Sequence, residues 1–221
     1  MRAFEIRGTE IPRWKRAVDL AGSALGLLVL GPLFLLVAIY IKLVSRGPVF
    51  FRQERVGLRG KRFVLWKFRT MRAGADDVLH REYLKQLIGS GDNGRGEMPM
   101  RKLKHDPRII PLGRLLRSSC LDELPQLINV LKGEMSLVGP RPAIPYEVDA
   151  YLPWHKERLN AAPGMTGLWQ VSGKNRLTFN EMVRLDIEYA EAMSPWLDAK
   201  ILLKTIPVLI GQMVERLSAV E

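Results

Sequence analysis

Leu20–Ile41 is a run of 22 residues without one charge. A straight helix of that length rises about 33 Å, enough to cross a bilayer hydrocarbon core of about 30 Å. Three structures compete for such a run: a cleaved signal, a bitopic helix, or a hairpin that enters and leaves by one leaflet. The run is too long for a signal peptide, and no small-residue cleavage site follows it. Length alone favours a bitopic helix, but two features favour the hairpin. Gly31–Pro32 falls mid-segment, where proline deletes a backbone hydrogen bond and costs about 3 kcal/mol in a straight helix. Arg13, Lys15 and Arg16 precede the run, and Lys42, Arg46, Arg52 and Arg55 follow it. Both ends therefore prefer the cytoplasmic side. The expected organisation is a tail over 1–13, a re-entrant anchor over 14–46 broken at Gly31–Pro32, and a cytosolic domain over 47–221.

The charge supports the same reading. The chain carries a formal +11, and residues 1–62 hold twelve Lys/Arg against four acids, so +8 of that excess flanks the apolar run. A basic excess calls for an anionic partner, whether nucleic acid, lipid headgroups or phosphorylated substrates. Its placement points to the membrane. Nucleic-acid binding would cluster cations with aromatic platforms on the soluble part. Cys120 is the one cysteine, which excludes an intrachain disulfide and suits a cytosolic domain. His80, His105 and His155 have no metal-ligand spacing.

Beyond the anchor the pattern is mixed α/β and mostly helical. Pro48–Val56 and Arg62–Phe68 are rich in Val, Phe and Trp, which predicts two strands joined through Gly57–Gly60. Residues 72–108 turn polar and glycine-rich, a flexible loop that is either a lid or an insertion. Leu112–Lys132 is helical, broken near Ser118–Ser119, with Leu124, Leu127, Ile128 and Leu131 as its apolar stripe. Five prolines from Pro140 to Pro163 punctuate the next stretch into turns and short elements. Phe179–Met193 is a helix ended by Ser194–Pro195. Trp196–Leu217 is a second helix that either lies in the membrane interface, with Lys200 and Lys204 reaching headgroups, or packs in the core.

Asp122–Glu123 is the candidate centre. Ser118–Pro125 resembles a helix start, where acidic side chains commonly act only as dipole partners. The surrounding cations change the balance. Arg114 and Arg117 come just before the pair, Lys67 and Arg69 sit on a predicted strand, and Val-Gly-Pro-Arg-Pro at 138–142 holds Arg141 rigidly. Guanidinium forks match phosphate oxygens and lysines supply point charge. Carboxylates among such groups suit a phosphate substrate with a divalent metal held by one carboxylate.

Four segments then carry a family resemblance: Lys-Phe-Arg-Thr-Met at 67–71, the run from Leu121 to Ser136, Val-Gly-Pro-Arg-Pro at 138–142, and the run from Pro163 to Asn175. In this order the chain resembles the bacterial sugar transferases, the monotopic polyprenyl-phosphate phosphoglycosyl transferases, from about Trp14 to Leu209. It looks like their minimal catalytic form. The resemblance implies transfer of a sugar 1-phosphate from a UDP-sugar to undecaprenyl phosphate at the cytoplasmic leaflet of the bacterial inner membrane. It implies Asp122 as nucleophile and Glu123 as a holder of Mg²⁺ or handler of a proton. Lys67, Arg69, Arg117 and Arg141 would hold phosphates. Asp186 and Lys174 match positions in the substrate or metal neighbourhood whose roles stay open. Leu168–Asn175 resembles members that handle a hexose such as galactose or glucose. A homodimer is compatible with the resemblance, whereas nucleic acid is not an expected partner. A membrane-tethered nucleic-acid-binding protein and a non-catalytic scaffold are the alternatives, and both would tolerate loss of Asp122.

Overall fold

The computed structural model describes residues 10–72, 108–173 and 177–218, with side chains described to Val214. The bulk of the predicted loop over 72–108, most of the tail and Lys174 lie outside the described residues.

Helix α1 spans Arg13–Val44. It runs through Gly31–Pro32, so the expected helix–break–helix is corrected to one helix with an internal proline. The physical reason lies in Gly31. Proline disfavours helical backbone before it partly by clashing with the preceding Cβ, and glycine has none. One face of α1 docks on the domain along both halves. Lys15, Asp19 and Ser23 are buried in its first half, Val37 and Ile41 in its second. The opposite face exposes Leu25, Leu28, Val29, Leu35, Leu36, Ile39 and Leu43, a stripe at helical spacing.

Strands β1 (Phe50–Val56) and β2 (Arg62–Phe68) form the antiparallel hairpin that the sequence predicts, with Phe51 opposite Lys67 and Arg55 opposite Phe63. Phe68, Ile110 and Leu116 pack against Val37 and Ile41 of α1. Met71 and Ile109 form an isolated antiparallel bridge. Helix α2 (Gly113–Ser118), a 3₁₀ turn at Leu121–Glu123 and helix α3 (Gln126–Lys132) follow. Asn129 is fully buried and ties α3 to β2: its Nδ2 donates to the Val64 carbonyl at 2.7 Å, and its Oδ1 accepts from the Trp66 amide at 3.1 Å.

Strand β3 (Ser136–Val138) pairs in parallel with β4 (Gly164–Thr166). Between them lie helix α4 (Pro145–Val148) and a 3₁₀ stretch over Pro153–Asn160. Glycine is required where the strands' ends meet: a Cβ on Gly139 would stand 2.2 Å from the Ala162 carbonyl oxygen, and one on Gly164 would stand 2.0 Å from the Gly139 nitrogen. Helix α5 is Leu168–Val171, α6 is Phe179–Ala192 and α7 is Pro195–Ser218. Thr178 starts α6 with a capping box to Glu181. The α7 helix buries Asp198 and Ile201 while Trp196, Leu203, Ile206, Ile210 and Val214 are exposed. Lys15 of α1 joins Asp198 of α7 at 2.6 Å and donates to the buried Tyr189 hydroxyl at 2.8 Å, locking the two apolar helices to α6.

Candidate active site

Asp122 and Glu123 do not occupy the first turn of a helix, as the sequence suggests. They form a separate 3₁₀ turn entered through Cys120 at φ 56°, and Pro125 immediately precedes α3. No side-chain cap satisfies either helix start, and Ser118 and Ser119 donate back to the Leu115 and Leu116 carbonyls. The serines therefore close α2. Proline lacks the amide that would extend α3 backwards, which leaves the acidic pair on its own turn. Asp122 is buried at the turn, while Glu123 points to the end of β2, where its Oε1 accepts from Lys67 Nζ at 2.6 Å. Both partners of that ion pair are partly exposed, at 23% for Lys67 and 38% for Glu123.

The other predicted cations divide. Arg69 is buried and donates to the Arg46 and Ser45 carbonyls at 2.7 and 2.8 Å, so it caps the C-terminus of α1. Arg117 lies in the last turn of α2, half-buried. Arg141 follows β3, and its Nη1 contacts both oxygens of Glu147 at 3.2 and 3.0 Å. Asp186 is fully buried on α6, where it accepts from Arg158 Nη2. Among the described residues, no cluster of three His, Cys, Asp or Glu side chains forms a metal cage.

Behind Arg141 stands a buried ionic group with few signals in the sequence. Glu147 also accepts from the Tyr151 hydroxyl at 2.8 Å, and that hydroxyl accepts from Arg158 Nη1 at 2.8 Å. Burial penalises the Glu147 charge, but Arg141 and Arg158 outweigh it and hold the carboxyl down at about 2. Burial pushes Asp186 up to about 6, and Arg158, followed by Arg141, pulls against that shift without cancelling it. Arg55 on β1 donates to the Pro142 carbonyl at 2.9 Å, and burial followed by the neighbouring Arg141 lowers it to about 10. Glu147 and, more weakly, Glu123 favour the charged form of Arg55. In the sequence Arg55 stands out only as a cation flanking the apolar run. The strand period was the available signal, since Gln53 and Arg55 share a face with Phe51, the register partner of Lys67. Glu147, Tyr151 and Arg158 carry no comparable pattern.

The acidic turn supplies carboxylates with a lysine and the Arg141 loop supplies guanidiniums, groups that suit phosphate chemistry. Residues 11–212 match the family model described as bacterial sugar transferase. The exopolysaccharide production protein ExoY of Rhizobium meliloti (strain 1021) is 40% identical over 193 residues, 87% of this chain and 84% of the relative. The undecaprenyl-phosphate galactose phosphotransferase of Salmonella typhimurium (strain LT2) is 41% identical over 198 residues, 89% of this chain and 40% of the relative. The UDP-glucose:undecaprenyl-phosphate glucose-1-phosphate transferase of Caulobacter vibrioides is 40% identical over 206 residues, 89% of this chain and 69% of the relative. The chain spans less than half the length of some curated relatives and most of the length of others. With its family model matched along nearly its whole length, the chain belongs to the bacterial sugar transferase family and is a transferase on that footing.

Proposed function

We propose that this protein transfers a hexose 1-phosphate from a UDP-sugar to a polyprenyl phosphate at the cytoplasmic face of the bacterial inner membrane, starting polysaccharide or glycoconjugate synthesis. The observation that carries this reading is about 40% identity, over nearly nine-tenths of the chain, to relatives named for galactose or glucose phosphate transfer to undecaprenyl phosphate. The site chemistry supports it. Asp122 is the nucleophile by the family resemblance, and Glu123, which accepts from Lys67, is the supporting carboxylate. In the first step a carboxylate oxygen of Asp122 bonds to the phosphorus next to the sugar. The bond from that phosphorus to the bridging oxygen breaks, and UMP leaves with the electron pair. In the second step an oxygen of the polyprenyl phosphate attacks the same phosphorus, and the Asp122 carboxylate departs regenerated. Lys67, Arg117 and Arg141 bind phosphate oxygens. Glu123 with the substrate phosphates is a donor set that suits Mg²⁺, which favours one or two carboxylates over an all-protein cage. When bound, such an ion offsets charge developing on the phosphate oxygens.

The docking of α1 supports a monotopic placement. Gly26 abuts Leu127 of α3, and Leu33 and Phe34 already pack with Phe68 of β2. The stretch between Gly26 and Leu33 rises only about 9 Å, against a hydrocarbon core of about 30 Å. A straight crossing would drag α3 and the hairpin into lipid. In this reading both ends of α1 stay on one face, the exposed stripes of α1 and α7 turn to the bilayer, and Lys200 and Lys204 lie at headgroup level.

The test is UMP release from a panel of UDP-hexoses by purified protein with undecaprenyl phosphate and Mg²⁺. Release that depends on one UDP-hexose and is lost in Asp122→Asn is expected. An absence of UMP with every common UDP-sugar overturns the reading.

A further inference from the structure

We infer that Glu147, Tyr151, Arg158 and Arg55 form a positioning cage whose task is to present Arg141 to the diphosphate of the nucleotide sugar. The inference rests on the proposed phosphate role of Arg141 and assigns new residues to it. The cage grips Arg141 at two points and the next residue at a third. Glu147 takes its Nη1 with both carboxylate oxygens. Arg158 Nη2 donates to the Arg141 carbonyl at 3.2 Å, and Arg55 Nη1 donates to the next carbonyl, that of Pro142, at 2.9 Å. Backbone and side chain are thus fixed together. Among the described residues, no hydrogen bond engages Nε or Nη2 of Arg141, and its side chain remains 20% exposed while that of Glu147 is fully buried. The buried edge of the fork is committed to the cage and the other edge is left for an anion.

Charge balance gives the cage a direction. Arg55, Arg141 and Arg158 face Glu147 and Asp186, so three guanidiniums meet two carboxylates. Arg158 is matched by Asp186 and the Tyr151 hydroxyl, and Glu147 is divided between Arg158 and Arg141. The positive excess falls on the Arg55–Arg141 side, the side that Glu123 also reaches electrostatically. Buried ion clusters are weak devices for stability, because packed apolar residues often serve as well or better. A cluster that fixes one arginine with a partly exposed edge is better explained by what that arginine must bind. Glu147 is accordingly a positioning residue, acting through Arg141 and not on the substrate.

A double-mutant cycle tests this in the full-length protein in lipid nanodiscs, with UDP and Mg²⁺ as the calorimetric probe. Glu147→Gln should weaken UDP binding about tenfold and Tyr151→Phe about threefold, and each effect should shrink below about twofold in an Arg141→Ala background. Equal losses in both backgrounds, or none in the wild-type background, overturn the cage. Thermal unfolding reports whether each variant folds. Tyr151→Phe keeps every charge and carries the cycle alone where Glu147→Gln does not fold. UMP release is read in parallel. A wild-type protein that binds UDP but releases no UMP from any UDP-sugar refutes the transferase reading and leaves the cage legible in the cycle. A wild-type protein that does not bind UDP refutes both.

Discussion

The acidic turn and the Arg141 loop hold ion pairs of opposite character. In the turn, Lys67 and Glu123 meet at 2.6 Å but remain partly exposed. Behind the loop, Arg158, Glu147 and Asp186 are fully buried and Tyr151 nearly so. Exposed pairs gain little net energy because water competes for both partners. Buried pairs are costly to break, since removing one partner strands the other charge in low dielectric. The turn can therefore change its partners as a phosphate arrives, whereas the loop cannot. One half of the site is chemically available and the other geometrically fixed.

The largest effect expected is on chemistry without a matching loss of fold. Asp122→Asn removes the attacking carboxylate, and UMP release should fall about 10⁴-fold or more, since no other group replaces a covalent nucleophile. Initial rates at saturating UDP-sugar measure it, and retention of even a tenth of wild-type turnover would remove Asp122 from the mechanism. The reverse pattern belongs to the cage. Arg158→Met leaves Glu147 and Asp186 without their shared cation, and the unfolding free energy should drop by about 3–5 kcal/mol. Denaturant unfolding in detergent measures this. A drop below about 1 kcal/mol would mean that the two regions do not differ as described.

The hairpin was legible because β-branched and aromatic runs flank Gly57–Gly60, and the α6–α7 boundary because Ser194–Pro195 must interrupt a helix. The parallel β3–β4 pair was not, since three-residue strands show no period and their join depends on glycine contact between Gly139 and Gly164. Arg69 was expected at phosphate and instead caps α1, because a guanidinium fork suits carbonyl and phosphate oxygens alike. The acidic pair was legible as a dyad, but its isolation on a 3₁₀ turn was not. Pro125 reads equally well inside a first helical turn or just ahead of one. The cage was invisible for a different reason. Its members stand at 55, 141, 147, 151, 158 and 186, and only the folded chain brings them together.

Acid sharpens the contrast, and the sign follows from the direction of each shift. Glu147 is depressed from 4.5 to about 2, so its stabilisation is complete above pH 4.5 and is lost as pH falls through about 2. Asp186 is raised from 3.8 to about 6 and acts in the opposite sense, disfavouring the fold as pH rises across that interval. Below pH 3.8 the Glu147 slope dominates this pair. Between pH 5 and 2 the wild-type protein should lose about 3 kcal/mol from Glu147 that Glu147→Gln never had. Unfolding curves for both proteins between pH 2 and 5 should converge. Parallel curves would show that Glu147 is not held ionised by its arginines.

The smallest stability effect should come from Lys67→Met, and its smallness is the point. Exposed pairs contribute about 0–1 kcal/mol, so the unfolding free energy should barely move. The same substitution removes the cation that engages Glu123 and would meet an incoming phosphate, and kcat/KM for the UDP-sugar should fall about tenfold or more. High salt should mimic part of that loss in the wild-type protein, because a half-exposed pair is screened more than a buried one. Arg158, by contrast, should be indifferent to salt. If Lys67→Met destabilised the protein as much as Arg158→Met, the turn would be as structural as the loop, and the division between an available half and a fixed half would fail.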